Sequence, residues 1–114
     1  MQIPQDAQKV EVEGATVDFY KFQKDKDSYY MFDTSRCGPP EPMVNAMAGL
    51  KLVTNPNVKL IMINHKKPMG LLNKIKDNFN IEFENLSDGN VKLIFSYKEG
   101  ESEKAKLNDA ACHG

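Results

Sequence analysis

The sequence predicts an α+β fold: a two-layer α/β sandwich built on a βαβαββ mixed sheet, with both helices on one face and an N-terminal β-hairpin extension. Three observations lead there. Apolar residues alternate at period two in several short runs and recur at helical spacing in two others. Each helical run opens at a proline-guarded turn that follows directly on a strand pattern. The stretch Val58-Lys59-Leu60-Ile61-Met62-Ile63 is apolar almost throughout, as expected of a strand covered on both faces.

In chain order, residues 1–8 read as a flexible N-terminus. Val10-Glu11-Val12-Glu13 alternates, Gly14-Ala15 can turn the chain, and an aromatic-rich strand pattern resumes at residues 17–22, which predicts a hairpin. Asp25-Lys26-Asp27 is a polar turn, and Ser28-Tyr29-Tyr30-Met31-Phe32 is a third strand ending at Asp33. Pro40 and Pro42 suit a first helical turn, where a missing N–H costs nothing, and Met43, Ala46, Met47 and Leu50 share one face of a helix over about residues 40–53. Asn55-Pro56-Asn57 stops that helix ahead of the central strand. Pro68 opens a second helix whose Leu72, Ile75 and Phe79 line one face, with Leu71 beside them. Ile81-Glu82-Phe83-Glu84 and residues 91–97 then flank Ser87-Asp88-Gly89-Asn90 as a closing hairpin. Residues 9–99 make a single domain, and residues 100–114 read as a flexible charged tail.

With 114 residues and 40% hydrophobic content, the chain can build one core. Fifteen basic residues against sixteen acidic ones leave a net charge of −1, which argues against nucleic acid or an anionic membrane as a dominant partner. No apolar run approaches the roughly 18 residues of a membrane span, and the first residues lack a basic stretch followed by an apolar one, so a cytoplasmic location is expected. Cys37 and Cys112 have no paired spacing and read as reduced thiols.

Most of the chemically able side chains fall in the two turns. If the strands ending at Asp33 and Asn64 are parallel neighbours, Arg36, Cys37, His65, Lys66 and Lys67 meet at one sheet edge beside two helix starts. Cys37 precedes a helix N-terminus and follows Arg36, and both favour the thiolate, the nucleophilic form. His65 suits proton donation or contact with an anion, and Lys66 and Lys67 suit an anion or an acidic partner. Cys112-His113 offers only two ligands and no second pair, too few for structural zinc, so no metal is expected. Met43, Met47, Met62 and Met69 read as core filler, and Glu82 and Glu84 as the wet side of a strand. The absence of a Gly-rich phosphate loop or a catalytic triad order points to no cofactor and leaves an enzymatic role uncertain.

The stretch Asp33-Thr34-Ser35-Arg36-Cys37-Gly38-Pro39-Pro40-Glu41-Pro42 resembles the small TusA-like (SirA-like) sulfur-carrier family, whose members carry Asp-x-x-x-x-x-Cys-Pro-x-Pro at the start of the first helix. Aligning Asp33, Pro40 and Pro42 with that pattern puts Pro39 at the sulfur-accepting cysteine position, with Cys37 two residues earlier. A related, largely uncharacterised family has Pro-Pro in place of Cys-Pro and a second motif near Asn-Asp-His-Asp-Pro-x-Pro-Leu, which Asn64-His65-Lys66-Lys67-Pro68-Met69-Gly70-Leu71 resembles in shortened form. Together these resemblances cover residues 32–98. They imply a carrier-like module that binds a protein partner or a small anionic ligand at the Cys37/His65 edge. Two alternatives accompany it. One is a persulfide carrier using Cys37. The other is an adaptor or accessory subunit of a redox or respiratory assembly, docking or homodimerising through the N-terminal strands.

Overall fold

A computed structural model of the chain describes residues 3–105 and 107. It is a mixed α+β fold with one six-stranded sheet and two helices. The elements are β1 (Gln8–Val10), β2 (Phe19–Lys24), β3 (Asp27–Asp33), α1 (Glu41–Leu50), β4 (Val58–Asn64), α2 (Met69–Ile75), β5 (Phe79–Asn85) and β6 (Val91–Tyr97). The strands lie in the order β1-β2-β3-β4-β6-β5. β3 and β4 are parallel, with Asp33 opposite Ile63, and every other neighbouring pair is antiparallel. No helix among the described residues is long and apolar enough to cross a membrane.

Strand alternation sorts the apolar side chains into two clusters. Phe32, Leu60, Met62, Leu93 and Phe95 pack with Met43, Ala46, Met47 and Leu50 of α1 and with Leu71, Leu72 and Ile75 of α2. Met31, Ile61 and Ile63, pointing the other way from the same strands, form a separate cluster with Phe22, Tyr29, Leu86 and Ile94. Phe19 stacks on Phe32 at 4.8 Å between ring centroids.

The expected turn at Gly14-Ala15 does not join two strands directly. β1 starts at Gln8, inside the stretch expected to be flexible, and residues 11–18 form a long connection before β2. The cause is tertiary. Val12, Ala15 and Val17 turn onto the core, while the fully buried Asn45 side chain of α1 captures the connection. Its Oδ1 accepts from the Thr16 and Val17 backbone N–H groups at 2.8 and 3.3 Å, and its Nδ2 donates to Thr16 Oγ1 and to the Glu41 carbonyl. These bonds outcompete the strand ladder that the alternation at residues 10–13 suggests.

α2 ends at Ile75, so Phe79 belongs to β5 and not to the helical face; it is buried in either reading, at 2% exposure. Met69 departs from the core-filler expectation, being 58% exposed, whereas Met43, Met47 and Met62 are buried. Beyond Gly100 the chain is tied down as a 3-10 turn, Ser102–Lys104. Ser102 Oγ donates to the Asn78 carbonyl and accepts from the Lys98 N–H, and Asn78 Nδ2 donates to the Glu101 carbonyl. Cys112 and His113 lie outside the described residues.

Candidate functional site

Because β3 and β4 run parallel, the chain leaves both at the same edge of the sheet, and both proline-guarded turns start there. Their bases are fastened together. Thr34 is completely buried; its backbone N–H donates to the Ile63 carbonyl at 2.8 Å and its hydroxyl to Asn64 Oδ1 at 3.0 Å. Asn64, 2% exposed, uses its Nδ2 to hold the Lys66 carbonyl at 2.9 Å, which folds the second turn back on itself. Asp33 Oδ1 accepts from the Ser35 N–H, and the Cys37 N–H donates to the Thr34 carbonyl, so the first turn is braced in the same local way.

Between the turns lies a cleft of about 360 Å³. Pro39, Pro40, Pro42 and Met43 line it from one side, and residues 64–71, including His65, Lys66, Lys67, Pro68 and Met69, from the other. Its walls are prolines, methionines and Leu71, and its cations stand exposed at the rim. Lys67 Nζ sits 4.7 Å from the centroid of the Phe83 ring, a cation–π contact that extends the rim to β5. Phe83 is 46% exposed, so among the described residues two of the three large exposed apolar side chains lie at this rim, Met69 in the lining and Phe83 against Lys67. Among the described residues no carboxylate pairs with Lys66 or Lys67.

The expected site is thus brought together in part. His65, Lys66, Lys67, Pro39, Pro40, Pro42, Asn64 and Pro68 line the cleft; Arg36, Cys37 and Asp33 do not. The electrostatics of Cys37 also run opposite to expectation. Burial, a hydrogen bond with Glu41, and the charges of Glu41 and Asp33 push its thiol pKa up. Glu41 occupies the first turn of α1, where its carboxylate takes the favourable position that a thiolate or a bound anion would need. Cys37 therefore has burial and an anionic partner that both disfavour the thiolate, the reverse of a nucleophile activated by a neighbouring cation.

Among the described residues no group of three or more His, Cys, Asp or Glu side chains is arranged to hold a metal ion. What the arrangement offers is recognition: an apolar slot with a positive rim on a braced backbone. Sequence reasoning missed Thr34, Asn45, Met69 and Phe83. The signal for the first was its place beside Asp33 at a strand end, and for Phe83 an aromatic ring two residues from the end of an edge strand. Compared with family models, with curated proteins and with solved structures, the chain matches none.

Proposed function

We propose that this chain is a small cytoplasmic binding module of the TusA-like kind, a βαβαββ sandwich with both helices on one face, that takes an anionic group at the cleft between its two proline turns. Lys66 and Lys67 supply the positive rim, His65 adds an imidazole hydrogen-bonding group beside them, and the anionic group is carried by a small ligand or by a protein partner. The cleft carries this reading: both motif turns line one opening whose cations have no carboxylate partner among the described residues. The shared cluster of α1 and α2 with one set of strand side chains supports the one-face arrangement, and the free thiol of Cys37 suits a reducing compartment. Sulfur transfer is the lesser reading. Pro39 stands where the resembling family has its cysteine, and Cys37 lies off the cleft with its thiol held protonated.

The test is an amide-shift titration of the isotope-labelled protein with sodium phosphate, sodium acetate and oligoglutamate. Shifts should gather at residues 39–43 and 64–71 and vanish in the double variant Lys66→Ala/Lys67→Ala. Responses to none of the three anions at the cleft would end this reading, and stoichiometric persulfide on Cys37 after exposure to a sulfane donor would replace it with the carrier.

A further inference from the structure

We infer that the occupant of the cleft is an acidic protein segment with an apolar anchor, not a free small anion; this rests on the proposed anion-binding role of the cleft. The argument begins with what a free anion would find. Asn64, the polar side chain at the floor, already has its oxygen engaged by Thr34 and its amide by the Lys66 carbonyl. The start of α1 already holds the Glu41 carboxylate, and α2, at seven residues, is too short to add a strong field of its own. That leaves exposed lysine ammonium groups, which hold a solvated ion weakly because water competes for both charges.

An acidic segment finds much more. The slot is walled by Pro39, Pro42, Met43, Met69 and Leu71, surfaces that fit an aliphatic or aromatic side chain. Met69 lines the slot with more than half of its surface exposed, and the exposed Phe83 ring against Lys67 adds apolar surface next to that cation. Apolar ground and unpaired positive charge therefore lie side by side, and the complementary ligand carries leucine or phenylalanine next to glutamate or aspartate. Anchor and charges reinforce each other: filling the slot expels water from the rim, where each lysine–carboxylate pair then gains strength.

The experiment compares a fluorescein-labelled peptide of alternating glutamate with leucine and phenylalanine against oligoglutamate of equal length and against a glutamine-for-glutamate analogue, by anisotropy and by amide shifts. The anchored acidic peptide should bind on the order of tenfold or more tighter than either control, with shifts at residues 64–71 and Phe83. Lys66→Glu/Lys67→Glu should weaken it by about tenfold, and Phe83→Ser by severalfold, with unchanged thermal melting showing that these surface variants stay folded. Oligoglutamate binding at the cleft as tightly as the anchored peptide would overturn this inference and leave the anion-binding reading standing. Equal affinity for the glutamine analogue would overturn the charge half of it. No cleft response to any of the three peptides or to phosphate and acetate would remove both.

Discussion

Cys37 shows how its surroundings can reverse the chemistry of a side chain. Arg36 and the start of α1 both argue for a thiolate, yet burial of the thiol disfavours the charge, and Glu41, four residues on, hydrogen-bonds the thiol and opposes ionisation with its own negative charge. A raised thiol pKa means less nucleophile at any pH below it, and the deficit closes only as the pH climbs past that value. Alkylation of Cys37 by iodoacetamide should therefore run slower than that of free cysteine at pH 8 and accelerate on going to pH 10. Glu41→Gln should raise the pH 8 rate severalfold. A Cys37 rate equal to that of free cysteine at pH 8, read by mass spectrometry, would contradict the raised thiol pKa, and an unchanged rate in Glu41→Gln would contradict the part assigned to Glu41. Asn45 makes the same point about polarity in a core: its amide and oxygen are both fully used, so a polar residue among Ala46, Met47 and Ala48 stabilises the fold by anchoring the Thr16-Val17 backbone.

At the level of elements, α1 approaches the sheet through Gly49. A Cβ there would lie 2.7 Å from Leu60 Cδ1 and 3.1 Å from Phe19 Cε2, and both neighbours are buried with nowhere to retreat. Helix propensity favours replacing this glycine by up to about 1 kcal/mol, but overpacking costs more. Gly49→Val should lower stability by roughly 2–4 kcal/mol, read from the urea midpoint, and a loss under about 1 kcal/mol would mean that α1 can lift off β4 freely. The elements themselves divide by how they could be read from sequence. β3, α1, β4 and β6 were legible because their apolar period follows from burial. β1 was misplaced because the Asn45 side chain, 29 residues from Thr16, decides where the ladder stops. Phe79 follows Ile75 by one helical turn and is buried in either element, so periodicity could not separate helix from strand there. Both turns of the site were legible from their prolines, but not the aim of Met69, which depends on how the Asn64–Lys66 bond rotates the second turn.

Across the whole molecule, stability should be graded along the sheet. β3, β4 and β6 each have a hydrogen-bonded strand on both sides, while β1 and β5 are edges and β1 is only three residues long. Amide hydrogen exchange should be slowest in β4 and its two neighbours, intermediate in β5, and fastest in β1. Protection in β1 equal to that in β4 would place the N-terminal strand in the cooperative core instead of at its margin. The Thr34–Asn64 hydrogen bond joins the ends of the paired strands β3 and β4 between the two turns, and both of its partners are buried, so breaking it would leave polar groups shut off from solvent. That bond ties the bases of the two turns together, so a partner entering the cleft meets a backbone already braced at its floor, with less disorder left to lose there. A floor braced in this way trades breadth of partners for a lower cost of binding the one that fits.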